Sequence, residues 1–369
     1  MRVDWRGGRA KAAWRGGKQQ CFGGEVSGVV VGGVVIGGVV IGPDRAADAT
    51  TGANAAKARK PVRRSGRKSF GAGRGGPRWL HSGGVKANLL ANSRIPVASR
   101  ATRLKHEAMS EINAPYAQGT PCWIDLMAKD QQAAMDFYAD LFGWQGQIGE
   151  EQFGGYAVME LRGRAVAGIG PSMAPEGMPE PPHVWTTYLS SDDADATTQR
   201  ITAAKGNVMV PAMDVGELGR MAIATDPAGA FFGYWQPKEF FGAQIVNEPG
   251  ALLWSECNVR DVPAASAFYQ AAFGIETQPM KGVDNYNVLL VNGKDVGGMQ
   301  DMSEQFPAEV PAHWMTWFAV DDVDSMVDAH VRAGGTVTIP AMQIPPGRMA
   351  GLCDPWGAMF CILKPEPME

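Results

Sequence analysis

The chain has 369 residues, with 34 Lys and Arg against 38 Asp and Glu and a formal net charge of −4. That balance hides a division: residues 1–108 carry 21 basic against 5 acidic residues and 20 of the 47 Gly, whereas the remainder carries 13 against 33, so a +16 segment precedes a −20 one. Five scattered Cys without a C-x-x-C pair exclude a disulfide framework, and the acidic remainder has no electrostatic reason to bind nucleic acid.

Residues 1–108 show no periodic apolar face and read as a low-complexity basic segment, expected to be disordered or an extension from too early a start. The uncharged, Gly-spaced run at 26–42 raises a targeting segment as a third reading, but Gly is costly in a helix and the run is marginal for a membrane span. Composition reverses sign near Met109, just ahead of the first patterned segment. Two domains are expected beyond it, at 119–236 and 250–365, in a chain with reduced thiols and a cytoplasmic location.

Residues 122–128 alternate as a strand that puts Trp123, Asp125 and Met127 on one face. Asp130 is placed to cap a helix in which Ala134, Phe137, Tyr138, Leu141 and Phe142 recur at helical spacing before Gly143 stops it. Strands follow at 156–161 and 165–168, then a strand at 184–189, a helix at 195–205, and strands at 220–225 and 231–235 around the turn at Asp226-Pro227. After a linker at 236–250 the pattern starts again, with helices at 261–273 and 324–333.

The recurrence is an internal duplication. P-C-W-I-D-L-M-A-K-D from Pro121 answers L-L-W-S-E-C-N-V-R-D from Leu252, and F-Y-x-x-x-F-G from Phe137 answers the same motif from Phe268. V-A-G from Val166 answers V-G-G from Val296, His183 answers His313, and V-P-A-M from Val210 answers I-P-A-M from Ile339. G-R-M-A and D-P-x-G-A, from Gly219 and Asp226, recur from Gly347 and Asp354. Ordered anchors at a nearly constant offset make the chain a tandem repeat.

A strand leading to Asp, a helix ending in F-Y-x-x-x-F-G and a last strand entered through D-P-x-G resemble the vicinal oxygen chelate superfamily of glyoxalases, bleomycin-resistance proteins and extradiol dioxygenases. The tandem arrangement, with P-C-W-x-[DE]-L starts and G-R-M-A ends, is similar to the two-domain glyoxalase-like proteins of the CFP30B type. The resemblance implies an α+β fold in which each domain pairs two β-α-β-β-β modules and a curled mixed sheet surrounds a cavity. It also implies a divalent metal held by His, Glu or Gln. The corresponding places here are Trp123, Glu160, Thr186 and Gly233 in the first copy and Trp254, Leu290, Met315 and Cys361 in the second, a set expected to hold no metal and no other cofactor.

Asp125 and Glu256 are therefore the candidate catalytic residues: a carboxyl aimed into an apolar cavity has a raised pKa and can act as acid or base. The plainer alternative pairs each with an Arg, Arg220 or Arg348, or leaves it at a solvated rim. His183 and His313 stand at strand entries as ligand contacts or as structural hydrogen-bond partners, while His330, inside a helix, is expected to be solvated. Trp123, Trp254, Trp185 and Trp317 line a cavity or fill a core. With Glu160, Arg220 and Arg348 they complete the candidate ligand-binding set. The expected partner is a small hydrophobic or aromatic molecule, sequestered or converted, with a homodimer left open and no membrane contact. A metal-dependent lyase, isomerase or dioxygenase with nonstandard ligands, and a non-catalytic interaction protein, are the competing readings.

Overall fold

A computed structural model describes residues 111–172, 182–304 and 306–366, so the expectations for 1–108 lie outside the described residues. The first copy runs β1 (Pro121–Ala128), α1 (Gln131–Phe142), β2 (Ala157–Leu161), β3 (Arg164–Pro171), β4 (Trp185–Ser190), α2 (Ala194–Ala203), β5 (Asn207–Val215), β6 (Gly219–Thr225) and β7 (Phe231–Pro237). The second runs β8 (Leu252–Val259), α3 (Val262–Phe273), β9 (Glu276–Pro279), β10 (Tyr286–Val291), β11 (Lys294–Asp301), β12 (His313–Ala319), α4 (Val323–Arg332), β13 (Thr336–Ile344), β14 (Gly347–Cys353) and β15 (Met359–Pro365).

Each copy makes one mixed sheet, in the order β2-β3-β1-β4-β7-β6-β5 and β13-β14-β15-β12-β8-β11-β10-β9. Both are open, and the class is α+β. The first module of copy one departs from the expected five elements. Where copy two has β9, copy one has only an isolated bridge from Gln145 to Glu160, because the segment between Gly143 and Tyr156 is Gly- and Glu-rich and lacks a β-forming run. The V-P-A-M and I-P-A-M anchors lie in β5 and β13, the sheet edges, where the register shifts around Pro211 and Pro340. Proline is tolerated there because an edge strand can leave an N–H unpaired.

Among the described residues all four α-helices begin at an Asp that caps the first turn: the side chains of Asp130, Asp193, Asp261 and Asp322 accept from backbone N–H groups at 2.7–3.1 Å. Asp193, rather than a residue nearer Asp195, starts the second helix because its side chain takes this role. Gly143 and Gly274 end α1 and α3 in the left-handed region, at φ 71° and 75°.

The helices lie on one face of each sheet, and the cores beneath them are shared between copies. One core joins Ile124, Phe137, Tyr138 and Phe142 of copy one to Phe318, Leu352, Phe360 and Ile362 of copy two. The other joins Leu189, Ile201, Phe232 and Tyr234 to Phe268, Tyr269, Phe273 and Trp314. Two hydrogen bonds repeat this exchange. The Tyr138 hydroxyl donates to Asp354 Oδ2 at 2.9 Å and that of Tyr269 to Asp226 Oδ2 at 3.2 Å, while Trp185 and Trp314 donate to the same two hydroxyls at 3.0 and 2.9 Å. The Asp-Pro turns thus fasten each copy's last hairpin to the other copy's first helix.

Shared cores predict a single cooperative unfolding transition rather than two. Tyr269→Phe, which strands a buried Asp acceptor and an indole donor, and Tyr138→Phe, which strands an indole donor and leaves Asp354 Oδ2 to His183, should each cost about 1–3 kcal/mol, measured by denaturant unfolding. Two separated transitions in the unsubstituted protein would contradict the shared-core arrangement.

Candidate functional site

The other face of each sheet carries no helix. Alternation along β1 sends Ile124, Leu126 and Ala128 to the helix side and Trp123 and Asp125 to the helix-free side, where Trp123 packs with Tyr188, Ile223, Trp235 and Ala243. That cluster draws on β1, β4, β6 and β7, with Val210 of β5 packed against it, so the helix-free face curls over itself.

Asp125 is buried at the centre of this face. The Tyr188 hydroxyl donates to its Oδ2 at 2.9 Å and the Tyr156 hydroxyl at 3.3 Å, and Tyr156 in turn accepts the Trp123 indole N–H at 2.8 Å. Thr186, directly across the β1–β4 ladder, is a third donor to the carboxyl. Burial pushes the Asp125 pKa up to about 7, and the hydroxyl donors hold it from rising further. Copy two repeats the arrangement. The Trp254 indole donates to the Tyr286 hydroxyl at 2.8 Å, Tyr286 and Asn258 Nδ2 donate to Glu256, the latter at 3.2 Å, and burial pushes Glu256 up to about 7.

A close approach explains the V-A-G and V-G-G anchors. Gly168 and Gly298 stand across the ladder from Asp125 and Glu256, beneath the Tyr156 and Tyr286 hydroxyls. A Cβ at Gly168 would lie 1.7 Å from the Tyr156 hydroxyl oxygen, and one at Gly298 1.9 Å from that of Tyr286. Sequence reasoning missed both tyrosines. The signal was present, because they stand 130 residues apart, within the drift of the other anchors.

The remaining candidates lie apart from the acids. Arg220 is held by both oxygens of Asp195 at 2.6 and 3.1 Å, and Arg348 by both oxygens of Asp324 at 2.8 and 2.7 Å, so neither pairs with Asp125 or Glu256. Glu160 is exposed on β2, and Trp185 lies in the shared core. His183 sits 2.8 Å from Asp354 Oδ2 and 3.2 Å from the Met127 carbonyl, in the contact between copies. His313 is buried beside the Pro311 carbonyl at 2.9 Å and opposite Asn258, and desolvation lowers its pKa. The two are not equivalent: Trp185 and Trp314 make matching bonds, which places His313 one residue closer to its Trp than His183. His330 is fully buried rather than solvated, against Phe137 and Phe360, with Nε2 2.9 Å from the Cys353 carbonyl. A depression of about 360 Å³, lined by Gln118, Asp192, Asp193, Arg200, Gln270 and Gly274 among others, includes neither acid.

Two open mixed sheets, each with a buried acid on its helix-free face, define a duplicated glyoxalase-like protein. The family model for the Glyoxalase/Bleomycin resistance protein/Dioxygenase superfamily matches residues 121–234, and that for the Glyoxalase-like domain matches 254–363; the chain belongs to this superfamily. It is 43% identical over 261 residues to a Mycobacterium tuberculosis protein named "Putative glyoxylase CFP32", covering 69% of this chain and 98% of that protein. It is 36% identical over 265 residues to the anthracycline biosynthesis protein DnrV of Streptomyces peucetius, covering 68% of this chain and 94% of DnrV. Among solved structures, the Mn(II)-bound glyoxalase of Novosphingobium aromaticivorans aligns with a TM-score of 0.48 at 14% identity, covering 68% of this chain and 83% of that one.

The side chains at the superfamily's ligand places do not fit a divalent ion. In copy one the Trp123 N–H is already donated, Glu160 is exposed, Thr186 serves Asp125, and Gly233 offers no side chain. In copy two Trp254, Leu290 and Met315 supply no N or O ligand, which leaves the Cys361 thiol as a single donor where a divalent site needs about three. Among the described residues no three His, Cys, Asp or Glu side chains converge.

The two acids set a pH dependence. Their folded pKa near 7 lies above the unfolded value near 4, so the folded chain holds these protons more tightly. Their stabilising contribution is complete below about pH 4 and is lost as pH rises through 7, on the order of 1.4 kcal/mol per pH unit for each group. Asp125→Asn with Glu256→Gln should flatten the fall in unfolding free energy between pH 5 and 8. Gly298→Ala, which displaces the Tyr286 donor, should move the Glu256 titration upward, read by carboxyl-carbon NMR. A Glu256 titration left in place would show that the Tyr286 hydroxyl does not act on it.

Proposed function

We propose that this chain binds a small hydrophobic or aromatic molecule on the helix-free side of its sheets, and that a buried carboxyl on that side exchanges a proton with it without help from a divalent metal. The observation that carries this reading is the Trp–Tyr–carboxyl arrangement made in both copies, Trp123–Tyr156–Asp125 and Trp254–Tyr286–Glu256. A carboxyl with a pKa near 7 is divided between its two protonation states at neutral pH, as proton transfer in either direction requires. The indoles supply flat apolar surface beside it. DnrV, named for anthracycline biosynthesis, makes a polycyclic aromatic compound a reasonable probe. The cytoplasm is the compartment in which the buried free thiols of Cys122, Cys257, Cys353 and Cys361 would persist.

The test is titration of metal-free protein with naphthalene-sized aromatics and an anthracycline, followed by calorimetry and tryptophan fluorescence. Saturable quenching without added metal is expected, with Glu256→Gln changing the pH dependence of binding or turnover. Binding that appears only after Mn(II), Fe(II) or Zn(II) is added would overturn the metal-free reading. A pH profile unchanged in both Asp125→Asn and Glu256→Gln would remove the proton-exchange role.

A further inference from the structure

Among the described residues, the two helix-free faces share a scaffold but differ in what covers them. In copy one the chain itself fills the face. The Phe240 ring stands edge-on to Trp123 at 4.9 Å between centroids and packs on Trp235 at 6.0 Å. Its segment is pinned by backbone bonds from Phe240 to Leu218 and from Ala243 to the Cys122 carbonyl, and by the Trp235 indole donating to the Phe240 carbonyl. The result is burial: Trp123 and Tyr188 are each only 5% exposed.

In copy two the equivalent Trp254 and Trp317 are only half-buried, as are Met315 and Leu253 beside them. Ladder register identifies the substitutions. Tyr188 pairs with Trp123 and Gly233, and Trp317 pairs with Trp254 and Cys361; Thr186 faces Asp125, and Met315 faces Glu256. Glu256 therefore has no counterpart to the phenol and hydroxyl that Tyr188 and Thr186 bring to Asp125. Among the unpartnered buried polar atoms of the described residues are Trp317 Nε1 and Asn258 Oδ1.

Resting on the small-molecule reading above, we infer that the copies are unequal: the copy-one face is closed by Phe240, and the copy-two face is the single ligand site, shaped for an aromatic ring that carries a hydroxyl group. Copy one displays the bound arrangement made from the chain's own atoms. Phe240 shows that an aromatic ring seats against the strand-one indole, and Tyr188 shows a phenolic hydroxyl donating to the strand-one acid at 2.9 Å. A hydroxylated aromatic in copy two would supply both. Its oxygen would donate to Glu256 and accept from the Trp317 indole N–H, which otherwise goes unpaired.

The probe is 1-naphthol, with 1-methoxynaphthalene as the analogue that cannot donate, titrated calorimetrically into the full chain. One site per chain is expected, with the methoxy analogue at least tenfold weaker. Phe240→Ala should expose the copy-one face and add a second site at least tenfold weaker than the first, because Tyr188 still fills the Asp125 carboxyl. Trp317→Tyr combined with Cys361→Gly rebuilds the copy-one arrangement in copy two and should weaken 1-naphthol at least tenfold while the chain stays folded by circular dichroism. Two sites in the unsubstituted chain, or one site that Phe240→Ala abolishes and the double variant leaves unchanged, would overturn the assignment and leave the small-molecule reading standing. Equal affinity for the two naphthalenes would overturn the hydroxyl preference. No binding of either naphthalene would overturn the inferred site, while the wider aromatic series tests the parent reading separately.

Discussion

The structure depends on a reciprocal exchange between the copies. Each last hairpin presents an Asp-Pro turn to the other copy's first helix, and Tyr138 and Tyr269 close the contact from inside a buried aromatic cluster. Asp354 and Asp226 are themselves buried, and each also accepts backbone N–H groups within its own turn. A buried carboxyl is costly unless its hydrogen bonds are filled. Neither turn is complete without the opposite copy, and each first helix packs against aromatic rings of the opposite copy as well as on its own sheet. The duplication is therefore one folding unit built from two similar halves.

That exchange commits the α-helices of the described residues to one side of the sheets and leaves the buried acids on the other. The polar groups there form a short relay, an indole donating to a phenol that donates to a carboxyl, flanked by apolar surface. Burial raises the acid's pKa and hydroxyl donors lower it, so neutral pH falls where both forms are populated. The same carboxyl in water would be almost wholly ionised at that pH, and the same carboxyl buried without donors would be protonated. The phenols thus tune the acid as well as orient it.

Strand and helix positions were largely legible because alternation in β1 and β8, Asp caps and Gly stops each leave a local signature. The inward position of Asp125 and Glu256 was legible for the same reason, as was that of the indoles two residues earlier. Tyr156 and Tyr286 were not, because they follow loop segments, Q-F-G-G and V-D-N, that carry no periodicity. The exchange between copies left no local trace either: Tyr138 and its acceptor are 216 residues apart. His183 and His313 looked equivalent because the offset changes at that strand, so a one-residue difference passed as drift. His330 looked solvated because a polar residue in a short helix usually is, yet its ring fills space over Gly335 that no Cβ could share.

Part of the divergence of the two faces follows from one pair of neighbouring positions. In copy one the Tyr188 ring lies flat over Gly233, where a Cβ would come within 2.2 Å of a ring carbon. Only glycine permits that placement, and the placement is what lets the phenol reach Asp125. In copy two the cross-strand neighbour is Cys361, which carries a Cβ at the place where copy one tolerates none. An aromatic at 317 cannot adopt the Tyr188 position there, whichever aromatic it is, and the indole N–H of Trp317 is left unpaired. The loss of the internal phenol follows from this packing change, Gly against Cys under one ring, whereas the deeper burial of the copy-one indole also needs the Phe240 ring.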